Sequence, residues 1–166
     1  MFGAVTDFVL MADLSGLSPV PRQMLAPWEG GAGTGRLPAR KDVGVLDIPQ
    51  LMPHMALVDI LSDPLDYRYR LTGTKFVDMI GHDRTGMRAR EIFSGPALDE
   101  TPRMLGMLVQ TRAPLAFEGT LYWLGRDYHR FQALCLPLAS DGENVDMAMM
   151  GLHISAAPIR GGDEAH

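Results

Sequence analysis

Tyr67-Arg68-Tyr69-Arg70-Leu71-Thr72-Gly73-Thr74 decides how the chain is read. Tyr67, Tyr69 and Leu71 alternate with Arg68, Arg70 and Thr72, the period of two that sends one set of side chains into a core and the other into solvent. The stretch reads as a half-buried strand with two outward guanidinium groups. Phe76, Val77 and Ile80 then share one helical face up to Gly81, so Thr74 is expected to cap a short helix and Gly81 to end it. Upstream, Ser62-Asp63-Pro64-Leu65-Asp66 is turn chemistry, and residues 54–61 are apolar on both faces, as a strand inside a sheet is. Two strands joined this closely pair antiparallel.

Downstream, residues 82–86 form a polar loop between glycines, and a short segment reaches Ile92 and Phe93 before Ser94-Gly95-Pro96. Thr101-Pro102 predicts the cap and first turn of a longer helix ending near Thr111, with Met104, Leu105, Leu108 and Val109 as its buried stripe. A period of two then runs to residue 155, broken by turns at Gly125-Arg126-Asp127 and Asp141-Gly142-Glu143-Asn144. Strand, strand, short helices and a three-strand meander predict an α+β fold with an antiparallel sheet and helices on one face. Met147, Ala148, Met149, Met150 and Leu152 make the last strand apolar on both sides. The back of the sheet therefore needs a cover, from the N-terminus, a second subunit or both.

The N-terminal third is punctuated differently. Phe2, Val5, Phe8, Val9 and Ala12 place an amphipathic helix over residues 1–14, and a second short helix is expected over residues 21–29 provided Pro27 falls near one of its ends. Gly30-Gly31-Ala32-Gly33-Thr34-Gly35 lacks the Lys-Ser/Thr ending of a phosphate loop and reads as a flexible linker. Asp47 caps a helical turn that holds Pro49 early and ends at Pro53. Three units follow: a helical extension and linker over residues 1–36, a domain over 37–156 and a disordered tail over 157–166.

Composition bounds the function. At 166 residues the chain fits one domain, with no room expected for a second catalytic or output domain. A net charge of −5 disfavours nucleic acid. Cys135 is the only cysteine, so there is no intramolecular disulfide and no cysteine-rich zinc site. The opening residues carry Asp7 and Asp13 without a basic leader, and no apolar run is long enough to span a bilayer. A cytoplasmic protein outside the membrane is expected.

Four motifs in order then carry a resemblance: Leu37-Pro38-Ala39-Arg40; Asp47-Ile48-Pro49 with Leu51-Met52-Pro53 and Leu57-Val58-Asp59; the stretch 67–74; and Gly81 through Thr85-Gly86. From about residue 20 to residue 155 the chain resembles the PAS domain, in the alphaproteobacterial subfamily whose members begin with a short helical extension. The resemblance implies a five-stranded antiparallel sheet, a pocket between sheet and helices, and bacterial signal transduction through ligand binding or protein–protein interaction. It supplies no ligand-contact set.

Residues placed by pattern between sheet and helices are the pocket candidates: Phe76, Met79, Ile80, Phe93, Leu105, Leu108, Phe131 and Ala133. His82 and Arg84 are polar candidates at its mouth. Flavin photosensors of the superfamily use an Asn-Cys-Arg motif that is absent here, and the helix from residue 101 to 111 has no histidine of the kind that ligates haem in other members. His54, His82, His129 and His153 are isolated, so no metal site is expected. No cofactor and no catalytic residue are expected. The sequence reads as a stand-alone sensory or adaptor domain that takes an unknown small molecule or protein partner, works as a homodimer and contacts an unidentified signalling protein. The alternatives are a small α+β enzyme acting in the pocket and a ligand-free dimerisation scaffold.

Overall fold

The computed structural model describes residues 9–44, 49–92, 96–121 and 126–155. In chain order the elements are strand β1 (Val9–Leu10), helices α1 (Pro19–Arg22) and α2 (Leu25–Gly31), strands β2 (Met55–Leu61) and β3 (Asp66–Thr72), and helices α3 (Thr74–Ile80), α4 (Ala89–Ile92) and α5 (Pro96–Thr111). Strands β4 (Leu115–Leu121), β5 (Arg126–Leu138) and β6 (Met147–Ser155) close the fold. Short 3-10 turns lie at Leu14–Gly16, Arg40–Asp42 and Pro49–His54.

The strands make one antiparallel sheet in the order β1-β4-β5-β6-β2-β3. The mixed α+β class is as expected, with six strands among the described residues in place of five. The added strand comes from Val9 and Leu10, which were expected on an amphipathic helix. They pair with Glu118 and Phe117 instead, and the Met11 N–H extends the ladder to the Ala116 carbonyl at 2.8 Å. An edge strand offering unpaired backbone groups outcompetes a helix interrupted by Gly16.

Both faces of the sheet are covered. On the front, Ala56, Val58, Tyr69, Phe117, Phe131, Ala133, Cys135 and Met150 pack against Phe76, Ile92, Met104, Leu105 and Leu108 of the helices. On the back, Met55, Leu57, Leu134, Leu136 and Met149 pack against Leu17, Met24, Trp28, Leu37 and Val43. The cover that the doubly apolar β6 demanded is thus the chain's own N-terminal third. Pro27 is the third residue of α2, where no intrahelical N–H is yet required. The layer is fastened at several points: Trp28 Nε1 donates to the Pro137 carbonyl at 2.8 Å, and the Leu37 N–H to the Gly142 carbonyl at 2.8 Å.

Four local expectations change, the first being Val109, which was expected on the buried stripe of α5 and is 36% exposed while Met104, Leu105 and Leu108 are buried. The N-cap of α3 is Gly73, not Thr74. Its N–H bonds the Met55 carbonyl at 2.7 Å, and a Cβ there would collide with the carbonyls of Met52 and Pro53. Gly81 ends the helix as expected, in the left-handed conformation at φ 98°. Helix α5 begins at Pro96 rather than at Thr101-Pro102, because Pro96 has the same first-turn preference and comes earlier. Leu71 does not share a face with Tyr67 and Tyr69. Leu57 pairs with Leu71 while Val58 pairs with Tyr69, so Arg70 is an extra residue and the alternation reverses there. The proposed Asp47 cap lies outside the described residues.

Candidate functional site

Phe76 from α3, Leu105 and Leu108 from α5, and Phe131 and Ala133 from β5 come together in the front core. Their exposures of 1, 2, 1, 5 and 8% describe a closely packed interior. The side chains of Met79 and Ile80, and Phe93 altogether, lie outside the described residues. Tyr67 and Tyr69 pack edge to face at 5.4 Å in the same core. Burial raises Tyr69 to about 12 and pushes Tyr67 well above its ordinary value. Burial likewise raises the Cys135 thiol to about 12, so it stays protonated and behaves as a small apolar group. The two phenols and the thiol of the front core therefore stay neutral at ordinary pH.

His82 is exposed on the loop after α3, and Arg84 is half-buried with Nη1 directed to Met87 Sδ at 4.0 Å. Between them, the Asp83 carboxylate accepts the Thr85 N–H at 3.0 Å, the Thr85 hydroxyl at 2.6 Å and the Thr72 hydroxyl at 3.0 Å. Those donors, Thr85 first, hold its carboxyl below the usual range. The loop is stitched along β3, with Gly86 N–H donating to the Tyr69 carbonyl at 2.7 Å and Tyr69 N–H to the Met87 carbonyl at 3.0 Å. Asp83 thereby serves the loop, and the loop shields the edge of the sheet.

The arginines of the opening motif have an intramolecular partner. Arg68 and Arg70 both reach Asp59, at 3.4 and 3.2 Å, across the half-exposed surface of β2 and β3. Asp66, 3% exposed, accepts the Tyr67 N–H at 2.8 Å and pairs with Arg90 at 3.0 Å. It lines a cleft of about 480 Å³ with Pro64, Leu98 and Thr101, next to the start of α5. Asp99 and Glu100 lie within α5 rather than ahead of it, and Glu100 takes Arg103 as its partner at 3.0 Å. Among the described residues no group of three His, Cys, Asp or Glu side chains has the arrangement to hold a metal ion.

A larger cavity of about 540 Å³ lies on the back of the sheet, under residues 39–43. Met55, Leu57 and Met149 of the sheet are its buried floor, Val43 faces them from the covering segment, and Arg40, Lys41, Leu71 and Ser140 form its exposed rim. No sequence candidate fell here. The available signal was the second apolar face of strands β2 and β6, which pointed to a covered surface but not to a gap beneath the cover.

A family model described as PAS domain matches residues 18–153. The chain belongs to that family, whose members are sensory and interaction modules. A comparison with curated proteins found no match. No helix among the described residues is long and apolar enough to cross a membrane.

Proposed function

We propose that this PAS domain is a sensory or adaptor module that takes a small molecule or protein partner and signals through its N-terminal layer or a dimer contact, without a catalytic step. The shared sheet supports this reading above all. Ala56, Val58, Ala148 and Met150 face the helices, while their chain neighbours Met55, Leu57 and Met149 face the N-terminal layer. A displacement of β2 or β6 is therefore felt in both cores, because close-packed interiors transmit strain rather than absorb it. Repacking among Phe76, Leu105, Leu108, Phe131 and Ala133 is the input end of this mechanism, and residues 14–43 are the output end.

The commitments of the polar groups favour a non-enzymatic role: Asp59, Asp66 and Asp83 each serve structural partners, and the buried phenols and thiol stay neutral. The motifs quoted above support a place in the alphaproteobacterial subfamily, and the single cysteine suits the reducing bacterial cytoplasm. Exposed Val9, Leu10 and Val109 supply apolar surface for a homodimer or an unidentified signalling partner. No cofactor is assigned.

Hydrogen exchange of wild type and Leu108→Ala tests the coupling. The variant enlarges the front core, and faster exchange is expected across residues 14–43 on the opposite face. Exchange confined to the helices would count against the mechanism. Light scattering across a concentration series tests the dimer, and a strictly monomeric species removes it.

A further inference from the structure

We infer that the cavity on the back of the sheet is a binding site for an amphipathic carboxylate, its chain on the buried floor and its head group at Arg40 and Lys41. The inference rests on the sensory reading only for the purpose of binding, not for binding itself. At about 540 Å³ the cavity falls within the size of small-molecule sites, which run from roughly 300 to 1,000 Å³. Its polarity is graded. Leu57, Met55 and Met149 on the floor and Val43 in the cover are 6, 4, 1 and 6% exposed and present only hydrocarbon and thioether to the space between them. Arg40, Lys41 and Ser140 stand in solvent at the opening.

Charge selects the head group. Arg40 and Lys41 enter no ion pair among the described residues, although the chain carries a net charge of −5. The adjoining carboxylate, Asp42, accepts the Ala39 N–H at 3.0 Å and closes the turn rather than forming an ion pair with Arg40 or Lys41. A guanidinium and an ammonium on neighbouring residues favour an anion, and a planar carboxylate suits the guanidinium fork. The floor selects the tail. Met52, Met55 and Met149 all line the cavity, and unbranched thioether side chains repack around a flexible chain more readily than β-branched ones. A flexible saturated carboxylate such as decanoate fits within a cavity of this size.

The site also has a mechanical consequence. Residues 39–43 roof the cavity, and the residues just before them are tied to the β5–β6 connection through the Ala139 N–H to Pro38 carbonyl bond at 3.0 Å and the Leu37 N–H to Gly142 carbonyl bond at 2.8 Å. A chain lying under residues 39–43 therefore presses on the N-terminal layer where it is fastened.

The test uses the full chain with decanoate, decanol and decyltrimethylammonium in calorimetry, and methionines labelled at the methyl carbon for NMR. Decanoate is expected to bind with a Kd below about 1 mM, and the Arg40→Ala/Lys41→Ala variant to lose about tenfold in affinity. Both substituted side chains are exposed, so the variant is expected to melt as wild type does. The Met52, Met55 and Met149 methyl signals should shift, while those of Met104 and Met150 in the front core stay. Equal binding of the three decyl probes, unchanged affinity in the double variant, no decanoate binding, or shifts at Met104 and Met150 instead would each overturn the assignment. Missing front-to-back coupling in Leu108→Ala alongside intact decanoate binding sinks only the sensory reading. Intact coupling with no decanoate binding sinks only this site.

Discussion

The indole of Trp28 reaches Pro137 across 109 positions of sequence and donates to its carbonyl at 2.8 Å while remaining 9% exposed. Strand β4 pairs with β5 only as far as Cys135, so beyond that point a side-chain donor stands in for a neighbouring strand. Trp28→Phe keeps most of the apolar volume but leaves that carbonyl without its donor, and a loss of about 1–3 kcal/mol is expected in urea unfolding. His153 gives a second expectation. Burial, and then the nearby His54, hold its imidazole below the ordinary value of 6.5. The unfolded chain thus takes up this proton before the folded one does, so stability is full above 6.5 and falls as pH drops through the lower folded value. Melting temperatures between neutral and mildly acidic pH should fall in wild type and fall less in His153→Asn. Neither residue was legible in the sequence as a structural contact. Trp28 sat in a segment recognisable as helical, but its acceptor is a backbone atom that no pattern marks.

Among the elements, β3 was both the most legible and the most misleading. Its alternation identified a strand correctly, and Tyr67 and Tyr69 are buried as expected. The same alternation put Leu71 beside them, whereas the bulge at Arg70 turns Leu71 to the back, where it lines the cavity at 38% exposure. A bulge depends on the pairing partner, so period alone does not reveal it. The exit of β3 has a sharper requirement. Gly73→Ala sets a methyl against the Met52 and Pro53 carbonyls, and a loss of about 1–3 kcal/mol is expected by thermal or urea unfolding, together with a disturbed start of α3. Asp59→Asn weakens only exposed pairs with Arg68 and Arg70, and a loss under about 1 kcal/mol is expected in the same assay. The shared core position of Phe76, Leu105, Leu108, Phe131 and Ala133 was legible because helical and strand periods converge on one core. The cavity was not, because its roof at residues 39–43 has no period at all.

At the scale of the whole molecule, one sheet serves two cores, and the order of its strands follows neither the chain nor the layers. The doubly apolar β6 made the second core legible in outline, and the N-terminal third supplied its contents. Removing residues 1–44 should uncover Met55, Leu57, Leu134, Leu136 and Met149 together, and the shortened chain is expected to aggregate or lose cooperative unfolding, as read by size-exclusion chromatography and circular dichroism. Strand β6 is the last of the described strands in sequence, yet it sits between β5 and β2 and joins the two hairpin halves of the sheet. On a ribosome, β2–β3 and β4–β5 would emerge as separate pairs with nothing between them. The N-terminal layer, made before these strands, would wait for a platform whose central strand follows the other described strands. The architecture thus postpones closure of both cores until β6 has emerged, leaving the N-terminal layer in need of protection until then.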